Sequence, residues 1–385
     1  MQLADRAFRL GTETAFEVLA KAKKLEAMGK HIVHLEIGEP DFITPKNICE
    51  AAIKSIRNGD THYTPSAGTL ELRQVIADYV SKTRELKFDP ENIVVTPGAK
   101  PIIFFLILAL IAKGDEVIYP NPGFPIYESM INFVGGTAVP LHLKEEDNFN
   151  IDIAEFEHLV TNKTKLVIIN TPGNPTGKTI PKNDIEAIAE ILRDKDTYIL
   201  SDEIYSRIVY DAVPFSIAKM HGFKERTIIL DGFSKTYAMT GWRAGYGVMN
   251  SELAPVITKL MVNSNSCTNA FVQKACIEAL SGPQIEVEKM VTEFRKRRDV
   301  IVEGLNSIKG FSCITPDGAF YAFPNISKTG YKSKELADKL LNEAGVATLS
   351  GTSFGKFGEG YLRFSYANSV ENIKHAIEKI KQAIN

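Results

Sequence analysis

The sequence predicts an α/β fold: a mostly parallel sheet covered by helices on both faces, with a second, smaller α+β domain beside it. Three observations point there. Between residues 90 and 250, six short and nearly continuous apolar runs alternate with helical patterns, which is how strands buried on both faces of a parallel sheet read. Beyond about residue 285 the pattern changes to long amphipathic helices with a few strands between them. A chain of 385 residues, 44% hydrophobic and 24% charged, is also long enough and apolar enough for two or three packed domains.

The six apolar runs are residues 94–96, 116–119, 165–170, 198–201, 227–230 and 244–249, each bounded by Gly, Pro, Asn or Asp. Residues 102–112 predict a buried helix, too short to cross a bilayer, which takes about 20 residues. Further on, Val287, Met290, Val291, Phe294, Ile301, Leu305 and Ile308 recur at helical spacing, and residues 319–323 and 361–365 read as strands. Ile373, Ile377, Ile380 and Ile384 mark a closing amphipathic helix. The expected division is a large domain over 45–285 and a small one built from 1–44 plus 286–385.

Charge and cysteine usage exclude several function classes. With 45 Lys+Arg against 47 Asp+Glu, neither nucleic acid nor an anionic membrane is the expected partner. Cys49, Cys267, Cys276 and Cys313 form no CxxC and have no companion His spacing. That argues against a disulfide scaffold or a metal site and suits a reducing compartment. No apolar signal core opens the chain, so a cytoplasmic location is expected. Two motif matches fail on mechanics. Gly351-Thr352-Ser353-Phe354-Gly355 has the form of a nucleophile elbow, but the one histidine after it, His375, sits in the terminal helix. Gly173-Asn174-Pro175-Thr176-Gly177-Lys178-Thr179 is one residue short of a phosphate-binding loop and carries a proline inside it.

In an open parallel sheet, ligands sit beyond the C-terminal strand ends, and here those ends carry polar residues. Run 94–96 leads into Pro97-Gly98-Ala99-Lys100-Pro101, whose small residues let backbone N–H groups approach an anion at a helix start; a plain helix cap fits too. Run 165–170 ends in a rigid turn presenting Asn174, which alone reads as a loop more than as a site. Run 198–201 ends in Asp202-Glu203-Ile204-Tyr205, where the acid is either a site residue or a helix N-cap. Run 227–230 is followed by a segment carrying Lys235 and Arg243 among small and aromatic residues, between two buried strands. That setting argues against surface charges, and desolvation there lowers a lysine pKa and makes a nucleophilic amine.

The segment 232–245 resembles the lysine signature of class I aminotransferases, pyridoxal-phosphate enzymes of fold type I. Five further stretches match the same family in order: Leu35-Glu36-Ile37-Gly38-Glu39-Pro40-Asp41, His62-Tyr63, Pro97-Gly98-Ala99-Lys100, Asn174-Pro175-Thr176-Gly177 and Ser201-Asp202-Glu203-Ile204-Tyr205. A sixth, Tyr361-Leu362-Arg363-Phe364-Ser365-Tyr366, extends the resemblance over nearly the whole chain. It implies a seven-stranded type of sheet, pyridoxal 5'-phosphate as cofactor, and ping-pong transfer of an amino group from an L-amino acid to a 2-oxo acid. By this resemblance Lys235 is the catalytic residue, bonded to the cofactor aldehyde and then moving the proton between the substrate α-carbon and the cofactor C4'. Asp202 pairs with the pyridine nitrogen, Asn174 and Tyr205 hydrogen-bond the ring oxygen, and Phe124 stacks on the ring. The amides of Gly98, Ala99 and Lys100, with Arg243, hold the phosphate. Tyr63 reaches it from a partner subunit, which implies a homodimer. Arg363 grips the substrate α-carboxylate, with Gly38 and Asn174 beside it.

There are departures from the family pattern. Gly232 stands where the family often has a phosphate-binding serine, which leaves Ser234 as a replacement. No arginine lies between Arg243 and Arg295, so the second arginine used by dicarboxylate-specific members is missing. Lys100 is then either the group for acidic side chains, as in some members of the Iγ branch this chain most resembles, or only a cation at a helix start. Phe16 and Tyr127 line a pocket for aromatic or aliphatic side chains in the other reading. Competing functions are a C–S lyase or a cyclase of the 1-aminocyclopropane-carboxylate type with the same cofactor. A transcription regulator carrying this domain needs a DNA-binding module ahead of it, and only about 35 residues precede Gly38.

Overall fold

The computed structural model describes residues 3–384. Twelve strands are named in chain order: β1 (Val33–His34), β2 (Ile93–Thr96), β3 (Glu116–Asn121), β4 (Thr137–His142), β5 (Thr164–Asn170), β6 (Tyr198–Asp202), β7 (Thr227–Gly232), β8 (Gly245–Val248), β9 (Tyr321–Ala322), β10 (Val346–Ala347), β11 (Leu349–Ser350) and β12 (Leu362–Ser365). The main sheet has seven strands in the order β2-β8-β7-β6-β5-β3-β4. All its pairings are parallel except those of β8, which runs antiparallel to β2 on one side and β7 on the other.

Both faces of this sheet are covered, and successive residues of a strand part to opposite sides. Val117, Leu166, Ile168 and Leu200 pack with Ile102, Leu106 and Tyr127. Ile118, Val167, Ile169 and Ile199 pack instead with Phe156, Ile185, Ile188 and Leu192. The helix Lys100–Leu110 buries Ile102, Ile103, Phe105, Leu106 and Ile107. At about 1.5–3 kcal/mol per large apolar side chain, this helix is fixed by burial, and its first residues are held still at the end of β2.

The remaining strands form two small sheets. One is antiparallel, in the order β11-β12-β9, and the other is a parallel pair of β1 and β10. Helices Ile285–Asn306 and Val370–Ile384 pack on them through Ile301, Leu305, Ile373, Ile377 and Ile380. The chain just after β1 bridges these sheets: the Leu35 amide donates to the Ala347 carbonyl at 3.0 Å, and the Ser365 amide donates to the Leu35 carbonyl at 2.7 Å. Residues 35–38 are thereby laid alongside β12.

The structure corrects several expected boundaries. The helix expected over 102–112 starts at Lys100 and ends at Leu110, and the strand expected over 319–323 shrinks to Tyr321–Ala322. The sheet's edge strand β4 was not expected: Pro140 interrupts its apolar pattern, and an edge is where a sheet tolerates proline. Among the described residues no helix is long and apolar enough to cross a membrane.

Candidate active site

The C-terminal ends of β2, β5, β6 and β7 open on a cavity of about 510 Å3, where an open parallel sheet offers its strand ends to ligands. The floor is held in register by the strands themselves. Asn170 and Asp202 are paired neighbours at the ends of β5 and β6, and the Asn170 side-chain amide donates to the Asp202 carbonyl at 3.1 Å. The Asn170 side-chain oxygen accepts from the Asn174 backbone amide at 2.8 Å. This fixes the turn that carries Asn174 into the cavity.

Asp202 is 4% exposed. Its Oδ2 accepts from the Tyr127 hydroxyl at 2.5 Å and its Oδ1 from the Ile204 amide at 3.3 Å. Burial pushes its carboxyl up to about 6, with the Tyr127 hydrogen bond opposing. No helix follows Asp202, only turns, so the N-cap alternative has nothing to cap. Tyr127 lines the cavity with Phe16, as expected, and its fully buried hydroxyl is also the partner of Asp202, since a buried hydroxyl must take a hydrogen-bond partner.

Lys235 lies in the turn after β7, which is anchored in the core by the buried Phe233, Tyr237 and Met239. Its amine donates to the Gly38 carbonyl. Among the described residues no carboxylate pairs with it. Part of its surface faces the cavity, but protein surrounds it. That desolvation, with the charge of Arg363 second, lowers its pKa to about 8. Arg363 in β12 is 4% exposed. Its Nη1 donates to Asn174 Oδ1 at 3.2 Å, its Nη2 donates to the Glu36 carbonyl, and its buried Nε has no partner. The guanidinium lies 4.5 Å over the Tyr321 ring, and burial lowers its pKa. A buried guanidinium without a carboxylate is costly to keep, and an anionic ligand completes its pairing.

The opposite end of the cavity is a cradle of backbone amides. Gly245 pairs with Gly232 and Thr96 across β8, and a Cβ there would strike the Ala99 amide nitrogen. Gly98 has φ +89°, where an L side chain is strained, and a Cβ there would displace the Arg243 guanidinium. Arg243 donates to the Thr240 carbonyl at 2.7 Å and to the Pro97 carbonyl at 3.4 Å. Arg243 is exposed, which corrects the expectation that it is withdrawn from the surface. Carbonyls at the cavity mouth, rather than a buried carboxylate, hold it in place. Ser234 lines the cavity with Lys235.

Phe124, Ala99, Tyr205 and Gly38 also line the cavity. Gly38 is required to be glycine because a Cβ would lie 3.1 Å from the ring carbon that bears the Tyr321 hydroxyl. Phe16 stands at the mouth, 61% exposed, and the Lys100 side chain there touches the Glu13 carboxylate. Tyr63 lies outside the cavity, 89% exposed on the surface of the chain. Sequence reasoning missed Tyr321, whose hydroxyl meets that of Tyr205 at 2.7 Å, and it missed Asn170 and Glu13. Only the polar hydroxyl in an otherwise apolar predicted strand hinted at Tyr321. Among the described residues no group of His, Cys, Asp and Glu could hold a metal ion.

The model of the family described as aminotransferase class I and II matches residues 30–380. The chain belongs to this family. It is 40% identical to an aspartate aminotransferase of Bacillus sp. strain YM-2, over 99% of both chains. The aspartate aminotransferase from Thermus thermophilus solved with maleate superposes with a TM-score of 0.95 at 35% identity, covering all of both chains. An aromatic aminotransferase from Pyrococcus horikoshii superposes at 0.89 and 39% identity, over 94% of this chain and 98% of that one. The protein is an aminotransferase of mixed α/β fold, and amino transfer is favoured over the elimination chemistry of a lyase.

Proposed function

We propose that this aminotransferase holds pyridoxal 5'-phosphate in the cavity and moves the amino group of an L-α-amino acid to a 2-oxo acid in two half-reactions. One observation carries the reading: a desolvated amine, Lys235, shares a cavity with Arg363, a buried guanidinium that has no carboxylate partner. The residues present fit the cofactor. A buried acid, an aromatic side wall and a glycine-lined amide cradle with an arginine lie along one cavity.

Bound there, pyridoxal phosphate would supply an aldehyde for amine exchange and a ring that takes up the electron pair left on the substrate α-carbon. Asp202 would face the ring nitrogen, where a cation restores the ionised carboxylate that burial disfavours. Asn174 and Tyr205 would donate to the ring oxygen, and Phe124 would cover a ring face. The amides of Gly98, Ala99 and Lys100, with Ser234 and Arg243, would hold the phosphate through charge-assisted bonds. Arg363, beside Gly38 and Asn174, would bind the α-carboxylate through both nitrogens and so aim the Cα–H bond at Lys235. The Lys235 amine, neutral in a larger fraction than an ordinary lysine, would accept that proton and return it to the neighbouring carbon.

The same reading assigns the chain to the Iγ branch, supported by the absence of arginine from 244–294. It divides the chain into a large unit over 45–285 and a small one over 1–44 plus 286–385, supported by the separation of the seven-stranded sheet from the two small ones. A homodimer with Tyr63 completing the partner's phosphate site is supported by the exposure of Tyr63 and Leu70 beside loops pinned by Gln273. A cytoplasmic location is supported by four cysteines with free thiols. Relatives named for aspartate and for aromatic substrates support both classes of side chain as candidates.

The test is spectroscopic. Purified protein given pyridoxal phosphate should show a visible band of covalently held cofactor, which glutamate or another amino acid converts and which Lys235→Ala lacks. Full turnover by Lys235→Ala overturns the reading. So does release of pyruvate and ammonia from cystathionine with no half-reaction.

A further inference from the structure

Four cations line the cavity: Lys100, Lys235, Arg243 and Arg363. Of these only Lys100 is paired with a carboxylate among the described residues, and that carboxylate belongs to Glu13. Lys100 is the first residue of its helix, and its ammonium stands 5.6 Å over the Phe124 ring at the mouth of the cavity. Glu13 is held there from both sides. Before it, the Gly11 amide donates to Ser129 Oγ at 2.9 Å; after it, the Thr14 hydroxyl donates to Ser353 Oγ at 2.6 Å. The Glu13 side chain is 17% exposed and lines the cavity, and its negative charge is felt at both Lys235 and Arg363.

A substrate whose α-carboxylate sits on Arg363 shares the cavity with the Glu13–Lys100 pair and with the apolar Ile37, Ile103 and Phe16. An acidic side chain arriving there meets a lysine whose charge is already matched. It also meets a second carboxylate, which repels it. An uncharged side chain meets neither penalty.

We propose that Glu13 is a specificity-determining residue. It is a carboxylate built into the protein that occupies Lys100 in place of an acidic substrate, so the enzyme selects amino acids with uncharged side chains, apolar or aromatic. Dicarboxylates enter only by displacing Glu13. The proposal rests on the aminotransferase site described above and adds the class of side chain it takes.

The experiment compares wild type, Glu13→Gln and the double variant Glu13→Gln/Lys100→Gln, each loaded with pyridoxal phosphate. Half-reactions with aspartate, glutamate, norvaline and phenylalanine give a ratio of kcat/KM for acidic over neutral substrates. Spectral titration with maleate and with 3-phenylpropionate gives the same comparison for unreactive ligands. Freeing a partly exposed lysine from its ion pair is expected to raise the acidic-to-neutral ratio about threefold to tenfold in Glu13→Gln, and to tighten maleate relative to 3-phenylpropionate. The double variant should lose that gain. An unmoved ratio in Glu13→Gln, or a gain that survives in the double variant, overturns the proposal. Wild-type conversion by norvaline in either case shows that the cofactor and transfer chemistry stand. If no amino acid converts the wild type, the underlying reading fails instead.

Discussion

Replacing Tyr127 with phenylalanine removes one hydroxyl and isolates one hydrogen bond. That hydroxyl is fully buried and donates to Asp202 Oδ2 at 2.5 Å, while the other carboxylate oxygen has only the longer bond from the Ile204 amide at 3.3 Å. A hydrogen bond to a charged acceptor contributes about 1.5–3 kcal/mol, and one pKa unit corresponds to about 1.4 kcal/mol. Losing the hydroxyl should therefore raise the Asp202 pKa by about one to two units. Asp202 already stands at about 6 because it is buried. At pH 7 its ionised fraction would fall from about nine-tenths to between about one half and one tenth. A cofactor cation opposite the carboxylate lowers both proteins' values together, so the difference between them survives. Half-reaction rates from pH 5.5 to 9 should show the acid limb of Tyr127→Phe displaced upward by that one to two units. On that limb the rates of Tyr127→Phe should fall below those of wild type and recover as pH rises toward 9. Superimposed acid limbs, in a variant that melts like wild type, would falsify the role given to this pair.

Arg363→Lys keeps the charge but gives up the two-nitrogen grip. We expect kcat/KM for any amino acid to fall by about 10- to 100-fold, with KM carrying most of the loss, and a loss below twofold would remove Arg363 from the carboxylate site. Gly245→Ala drives a methyl group into the Ala99 amide. At the usual 1–3 kcal/mol for overpacking, pyridoxal phosphate should dissociate roughly 5- to 100-fold more readily, read by equilibrium dialysis, and an unchanged affinity would dissociate the cradle from phosphate binding. Burial raises the carboxyls of Asp202 to about 6 and Asp231 to about 7, with the Arg84 charge opposing at Asp231. Between about pH 4 and 7 the folded state thus binds more protons than the unfolded chain, and the cofactor-free protein should lose stability as pH rises through that window. Asp231→Asn should flatten this slope in denaturant titrations at successive pH values, and identical slopes would reject the assignment.

The parts of this protein legible in its sequence are those whose signal is local. The strands at 94–96, 165–170, 198–201 and 227–230 read correctly because burial on both faces writes itself as a continuous apolar run ending at a polar residue. Asp202 and Lys235 stood out because polar groups at strand ends or within buried segments need a reason, whereas Asn174 and Arg363 were picked out by the family resemblance. What escaped was pairwise. Tyr321 reads as core until Tyr205, 116 residues earlier, puts its hydroxyl beside it. Tyr127 reads as a pocket-lining aromatic, and its bond to Asp202, 75 residues on, shows only in the fold. Glu13 carries no signal of its own until the fold brings Lys100, 87 residues away, against it. Strands of two residues, such as β1, β10 and β11, are shorter than any period they could display.

The antiparallel strand β8 constrains when the floor of the cavity can first assemble during synthesis. β2 and β7 are not neighbours; β8 lies between them and is hydrogen-bonded to both. The amide cradle after β2 and the lysine turn after β7 therefore have no common support until residues 245–248 have been made. A ribosome-bound chain that ends before this strand carries Lys235 with no amide cradle docked beside it. Emergence of four small and apolar residues, Gly245, Tyr246, Gly247 and Val248, closes the sheet. Cofactor capture by the growing chain should begin with that closure, and added pyridoxal phosphate should act as a late-stage folding ligand rather than an early one.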